Sequence, residues 1–163
     1  MKVLIAVISD LATDMRVHKH ALLLAGMGCD VTVIGRNRQG VIPPAISGVK
    51  IRRIHVLFNK GPAMYLAFNM LLFLRLLPRR FDMYVSCDLD TLVPCFLVSG
   101  LYGKKLVYDA HEYFTGQFGL AERRMKYNIW KAAEKWILPE LRHMITVSDS
   151  IAKLYHSEYG VKP

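Results

Sequence analysis

The chain has 163 residues, the size of one domain, and its 53% hydrophobic and 21% charged residues exclude an intrinsically disordered protein. Three cysteines without a C-x-x-C pair argue against a disulfide framework and a zinc knuckle, so a reducing, cytoplasmic location is expected. The formal net charge of +9 indicates an anionic partner.

Six short apolar runs are predicted to be strands, over residues 3–8, 31–34, 51–57, 83–87, 106–108 and 144–147. Helices are predicted from Thr13 to Met27, over 62–77, from 90 or 91 to 100 or 103, over 122–138, and from the Ser148 cap to Gly160. Buried apolar strands separated by helices are typical of a doubly wound, mostly parallel α/β sheet. We therefore predict a single α/β domain over residues 1–163, without internal repeats or a linker.

Polar residues follow four of the predicted strands, at 9–16, 88–90, 109–112 and 148–150. In an open parallel sheet, ligands bind outside the carboxyl ends of the strands. Asp, Ser and Thr are also favoured as helix caps and in turns, so that interpretation stays open for each cluster alone. The convergence of all four clusters at one edge favours a binding site there.

The loop after the first strand contains no glycine, and the chain has no Walker-type G-x-x-x-x-G-K motif. Tight binding of phosphates by this loop is therefore not expected. Arg16, in the first turn of the following helix, offers a fork-shaped guanidinium to an anion. The alternative for Arg16 is a solvated position on the helix.

Asp88 and Asp90 have the D-x-D spacing with which some sugar-transferring enzymes hold a divalent metal, although two carboxylates alone are a weak signal. Asp90 is instead expected to cap the helix that follows it, and Asp88 to accept a hydrogen bond from a ligand hydroxyl. His111 does not begin an H-E-x-x-H zinc motif, because Thr115 occupies the position of the second histidine. No metal is expected.

His18, His20 and His111 are three of the six histidines of the chain. His18 and His20 are two residues apart on a helix and point to different sides, so we expect surface or helix-packing roles for both. His111 lies just past a buried strand and is expected to open into the crevice, where an imidazole can bond a ligand hydroxyl or phosphate. Bonding of His111 to the neighbouring loop backbone remains the alternative.

The positive charge is concentrated in residues 1–80, which carry 12 Lys and Arg against three Asp and Glu. The nearly apolar segment 63–77 would span about 22 Å as a helix, against roughly 30 Å of hydrocarbon, so it is not expected to cross a bilayer. Its expected role is core packing, with docking of one edge on an anionic membrane surface as a second hypothesis. No nucleic-acid partner is expected, because the aromatic residues here are not interleaved with Lys and Arg.

Five segments, at 14–21, 28–34, 87–92, 108–114 and 145–152, resemble one protein family, and the Tyr-Asp-Ala-His-Glu run at 108–112 is the most specific of them. In their order and spacing they resemble the amino-terminal domain of family-four retaining glycosyltransferases of the GT-B fold. The resemblance covers the whole chain. It implies a Rossmann-like domain that forms one half of a GT-B fold.

The resemblance also implies roles for individual residues. In that family the amino-terminal domain holds the acceptor, and the second domain holds most of the nucleotide-sugar donor. His111 matches the histidine that reaches the donor sugar, which makes it the expected catalytic residue, and Arg16 lies in the region that approaches the donor. Asp88, Asp90 and Glu112 match the acceptor side. No cofactor or metal is implied, because basic residues and helix dipoles neutralise the donor diphosphate.

The implied reaction transfers a sugar with retention of anomeric configuration, and the leaving diphosphate helps to take the acceptor proton. The implied acceptor is a glycan, either lipid-linked or part of a polysaccharide, at the cytoplasmic face of a membrane. No segment corresponds to the family's donor domain, so the chain is expected to be inactive without that domain in cis or in trans. The alternative is a non-catalytic, membrane-docking subunit of a two-chain glycosyltransferase.

Overall fold

The computed structural model describes residues 1–9, 11, 14–37, 45–117, 119–120 and 122–163. In these residues the strands are β1 (Lys2–Ala6), β2 (Asp30–Arg36), β3 (Val49–Ile54), β4 (Met83–Cys87), β5 (Lys105–Ala110) and β6 (Met144–Thr146). The α-helices are α1 (Met15–Gly26), α2 (Pro62–Leu76), α3 (Leu92–Leu101), α4 (Arg124–Ile137) and α5 (Asp149–Tyr159). Short 3₁₀ turns at Leu89–Thr91, Phe114–Gly116 and Leu138–Glu140 lie before α3, before α4 and after α4.

All six strands are parallel and lie in the order β3-β2-β1-β4-β5-β6. Val3 of β1 pairs with Val31 on one side and with Met83 on the other. The strand order reverses direction between β1 and β4, and such a switch point leaves a crevice outside the carboxyl ends of the two strands. The predicted doubly wound, Rossmann-like sheet is confirmed.

Helices cover both faces of the sheet. On one face α1 packs Val17 and Ala21 against apolar side chains of β1, β2 and β4. On the other face α2 and α3 pack through residues such as Phe68 and Leu72, and α4 and α5 continue that layer around Tyr155. Side chains alternate between the two faces along each strand, so the helices bury both faces of the central strands.

The apolar helix α2 packs one side against the sheet, as predicted. It buries the residues at a four-residue spacing, Met64, Phe68, Leu72 and Leu76. It leaves a second apolar row in solvent, Leu66, Met70 and Leu74. Among the helices described, none combines the length and apolarity needed to cross a bilayer.

The helix ends show how capping sets the boundaries. Asp14 accepts a hydrogen bond from the Val17 amide at 3.2 Å, so α1 begins at Met15, whereas the predicted start, Thr13, lies outside the described residues. The Ser148 cap of α5 is confirmed, because its hydroxyl accepts from the Ile151 amide. Gly160 ends α5 at φ 72°, a left-handed conformation that glycine adopts without steric cost.

Candidate functional site

The imidazole of His111 is the centre of the candidate site, just past the carboxyl end of β5. Its Nε2 lies 3.2 Å from Oδ2 of Asp109, and its Nδ1 lies 3.5 Å from Oδ2 of Asp88. The His111 amide also donates a hydrogen bond to Oδ1 of Asp88 at 2.9 Å. Because β4 and β5 are neighbours, with Cys87 paired to Asp109, the residues that follow them meet at one edge. Two carboxylates therefore hold one histidine.

The surroundings of His111 favour its protonated form. The hydrogen bond to Asp109 raises the pKa of His111 and the charge of Asp88 adds to this effect, while burial and the charge of Arg16 oppose it. Only 5% of the side chain is exposed. The expectation that the ring opens freely into the crevice is therefore not met, since both ring nitrogens face carboxylates.

Asp88 has the strained backbone of the site. Its φ of 62° and ψ of 171° lie in a region that belongs to glycine, and no other non-glycine residue of the described chain has a positive φ. Such a conformation costs about 1–3 kcal/mol and persists where the surrounding structure enforces it. Here it turns the carboxylate toward His111, and burial raises the pKa of Asp88 to about 6.

Asp90 does not cap α3, so that prediction is wrong. It lies inside the 3₁₀ turn before the helix, and the cap position is taken by Thr91 without a side-chain bond. The Asp90 side chain is buried, with no hydrogen-bond partner for Oδ1 in the described part of the chain. Burial raises the pKa of Asp90 well above its ordinary value, because the buried site disfavours the charged form of the carboxyl.

Arg16 and Glu112 lie at the same edge without touching His111. Arg16 is exposed in the first turn of α1, and its charge opposes the rise in the pKa of His111. Glu112 is exposed and accepts a hydrogen bond from Gln117, and its charge helps to raise the pKa values of Asp88 and Asp90. All five predicted site residues thus share one edge of the sheet.

His20 belongs to the site and was wrongly predicted to have only a surface or packing role. Its Nδ1 lies 3.0 Å from Oδ2 of Asp109, the oxygen that also faces His111. His18 does pack, with Nε2 2.5 Å from the carbonyl oxygen of Leu11. The helical spacing from Val17 to His20 could have predicted that His20 faces the sheet, because a residue three positions after a buried one lies on the same side of the helix.

Two of the four polar clusters serve mainly as caps. Ser9 donates a hydrogen bond to Asp14, which in turn caps α1, and Ser148 caps α5. Asp10, in the first cluster, lies outside the described residues. The clusters after β4 and β5 are the ones that contact each other, through Asp88 and His111.

One group of described side chains could hold a metal ion, and it is not the D-x-D pair. Ligand atoms of Cys87, Asp109 and His111 lie within 4.8 Å of one another. Burial and nearby carboxylates raise the pKa of the Cys87 thiol well above its ordinary value, so the thiol is protonated. Asp109 already bonds two histidines, and these hydrogen bonds account for the arrangement.

The family model of Glycosyltransferase Family 4 matches residues 15–163, and no curated protein matches the chain. Among solved structures, UDP-GlcNAc 2-epimerase from Methanocaldococcus jannaschii is similar over 99% of this chain and 43% of its own, with 14% identity and a TM-score of 0.62. Os79 from O. sativa, solved with UDP, is similar over 98% and 50%, with 12% identity and a TM-score of 0.63.

The lipopolysaccharide outer core galactosyltransferase WaaB is also similar, over 99% of this chain and 43% of its own, with 12% identity and a TM-score of 0.56. At these identities the likeness concerns the fold alone. The chain spans half or less of the length of each of these three structures.

Proposed function

Because this chain belongs to glycosyltransferase family 4, we propose that it is the acceptor-binding half of a retaining glycosyltransferase that uses a nucleotide-sugar donor. The observation that carries the proposal is the His111 imidazole held between Asp88 and Asp109 past the carboxyl ends of β4 and β5, beside the switch point of the sheet. The UDP in the Os79 structure supports a nucleoside diphosphate as the donor's leaving group. Donor binding would be completed by a second domain in cis or in trans.

His111 is proposed as the catalytic residue that meets the donor from this side. Its Nε2 is fixed by Asp109 at 3.2 Å, whereas the 3.5 Å separation of Nδ1 from Asp88 is too long for a strong hydrogen bond. A sugar or phosphate oxygen can therefore compete with Asp88 for the Nδ1 proton. A protonated ring would also favour the negative charge that develops on the leaving diphosphate.

The other site residues are proposed to act by charge and hydrogen bonding. Arg16, exposed at the start of α1, would bind a donor oxygen as a two-pronged donor. Asp88, Asp90 and Glu112 would accept or share hydrogen bonds with acceptor hydroxyls. Neutralisation of the diphosphate by cationic side chains and helix N-termini would make a metal unnecessary, and the diphosphate itself would take the acceptor proton.

The test uses the chain together with its donor domain, either in one polypeptide or mixed. Radiolabelled UDP-sugars and dTDP-sugars are offered with lipid-linked and soluble glycan acceptors. His111→Ala should lower kcat/KM by about 10²–10⁴-fold, the usual contribution of a positioned proton donor. His143→Ala, at an exposed histidine far along the chain, is the matched control. Unchanged transfer by His111→Ala contradicts the proposed role, and a product of inverted configuration by NMR contradicts retention.

A second candidate function is a non-catalytic subunit that docks on an anionic membrane. It is supported by the exposed row Leu66, Met70 and Leu74, and by a nearby cavity of about 300 Å³ bordered by four arginines, Arg52, Arg53, Arg75 and Arg79. Basic residues near an anionic surface contribute on the order of 1 kcal/mol each. In this function, mixing with a donor domain gives transfer that does not depend on His111, and sedimentation with phosphatidylglycerol vesicles requires the arginines.

A further inference from the structure

An apolar groove lies next to the candidate site, between the first halves of α2 and α4. Its volume is about 380 Å³, and Tyr65, Leu66, Val93, Ile129 and Trp130 form its walls. The rings of Tyr65 and Trp130 meet edge to face at 5.5 Å, which fixes one wall. Leu66 and Ile129 are more than half exposed, so the groove is open to solvent and is not part of the core.

The groove borders the 3₁₀ turn that carries Asp90. Asn69, which lines the groove, donates a hydrogen bond to the Asp90 carbonyl oxygen at 2.8 Å. Only 7% of the surface of Asp90 is exposed, and its Oδ1 has no hydrogen-bond partner among the described residues. A buried polar atom of this kind needs a hydrogen-bond partner.

The polar groups along the groove leave little for a bare glycan to bind. The Asn69 amide nitrogen is already used twice, by the carbonyl oxygens of Tyr65 at 2.9 Å and of Asp90. The cation of Lys126 lies over the Tyr65 ring, with Nζ 5.7 Å from its centroid, and suits an anionic group better than a neutral hydroxyl. A sugar chain would lose its hydration here without replacement bonds, whereas a hydrocarbon would gain from burial.

We propose that this groove binds the hydrocarbon part of an amphiphilic acceptor, whose reacting hydroxyl group lies toward Asp90. This inference rests on the proposed transferase function and favours a lipid-linked acceptor over a polysaccharide. Lys126 at the groove gives an anionic linkage, such as a phosphate, a cation next to the hydrocarbon. A protonated carboxyl at Asp90 would both donate to and accept from a hydroxyl.

The binding test needs no catalysis. Octyl phosphate and octyl β-glucoside, below their micelle concentrations, are titrated into the full chain, with calorimetry and the indole N–H signal of Trp130 as readouts. Leu66→Gln and Ile129→Gln should each weaken binding about tenfold, because each removes apolar contact worth roughly 1.4 kcal/mol. Leu23→Gln, at an exposed leucine of α1 on the opposite face, should leave the affinity within twofold. Lys126→Gln should weaken octyl phosphate more than octyl β-glucoside.

The outcomes separate this inference from the proposed function. Equal binding by the wild type and both groove variants, or no shift of the Trp130 signal at millimolar probe, overturns the groove assignment. So does a dimer in sedimentation velocity that dissociates on Leu66→Gln, since the groove would then be a protein interface. Transfer to soluble glycans in the reconstituted enzyme would still stand in these cases, whereas loss of all transfer with intact probe binding would overturn only the transferase function.

Discussion

His20 and His111 share one oxygen of Asp109. The Nδ1 of His20 lies 3.0 Å from Asp109 Oδ2, and the Nε2 of His111 lies 3.2 Å from the same atom. Asp109 is a buried residue of β5 that contacts His20 of α1, whereas 41% of the His20 side chain is exposed. His20 is therefore a positioning residue, which acts on His111 through the carboxylate between them.

We predict that His20→Ala raises the pKa of His111. The hydrogen bond from His20 to Asp109 Oδ2 weakens the bond that the same oxygen accepts from His111. Removal of His20 therefore strengthens the bond from His111 and favours the charged form of the His111 ring. NMR titration of the His111 ring signals measures the change, and rescue of the wild-type value by His20→Asn would support hydrogen bonding as the cause. A lowered pKa in His20→Ala would contradict the interpretation.

Asp109→Asn should lower the pKa of His111, and by more than Asp88→Asn does. The bond to Asp109 is the largest cause that raises this pKa, and the charge of Asp88 is a smaller one. NMR titration of the wild type and the two variants gives the order of their His111 pKa values, with the signals of exposed His143 as an internal control. The order is refuted if Asp88→Asn has the larger effect.

Stability should fall as the pH rises through the range where Asp88 and His111 lose their protons. The folded pKa of Asp88 is about 6 against an ordinary 3.8, so folding favours its proton and this contribution is lost between about pH 4 and 6. The folded pKa of His111 is raised above 6.5, so its contribution is complete below pH 6.5 and is lost as the pH passes the folded value. Urea unfolding at stepped pH should show Asp88→Asn removing the lower part of this slope and His111→Gln the upper part.

Asp88→Gly should be more stable than Asp88→Ala by about 1–3 kcal/mol. Both variants lose the carboxylate, but only glycine removes the steric cost of φ 62° and ψ 171°. The difference between their free energies of unfolding in urea therefore measures the backbone strain. Equal stabilities would mean that the strained conformation relaxes when the carboxylate is gone.

Glu134→Ala should destabilise the fold by about 3–5 kcal/mol, as is usual when one member of a buried polar network is removed. Glu134 is fully buried on α4, and its Oε2 accepts hydrogen bonds from Thr115 at 2.7 Å and from Tyr159 at 2.6 Å. Glu140→Ala, at an exposed glutamate, should change the free energy of unfolding by no more than about 0.5 kcal/mol. Similar losses in the two variants would argue against the network.

The sheet could be predicted from the sequence because its central strands β1, β2 and β4 are apolar runs that both faces of the sheet bury, whereas the edge strand β3 is half polar. The edge that holds the site followed from the same pattern, since Asp88 and His111 stand directly after two buried strands. The contact between them was not predictable in detail. It depends on the pairing of β4 with β5 and on a positive φ at Asp88, and an aspartate gives no sign of that conformation in a sequence.

Asp90 and His20 show two different limits. An aspartate before a helix is a good cap by its type, but here Asp90 is the middle residue of the 3₁₀ turn and Thr91 takes the cap position of α3. His20 stood on the buried side of α1 by helical spacing, yet its partner lies 89 positions later, on a strand whose neighbour in the sheet had to be known first. Helical spacing in the sequence predicts which side of the helix a residue lies on, but its contact partner follows only from the order of the strands in the sheet.

The hydroxyl of Tyr155 joins α5 to the segment that carries His111. It donates to the carbonyl oxygen of Glu112 at 3.2 Å, and it accepts from the amide of Phe114 at 3.4 Å. The loop beyond β5 is thus hydrogen-bonded both to Tyr155 of α5 and, through His111, to Asp88. The loop loses its conformational entropy when the domain folds. A ligand that reaches His111 therefore meets a preorganised group, and its binding free energy is not reduced by the cost of ordering the loop.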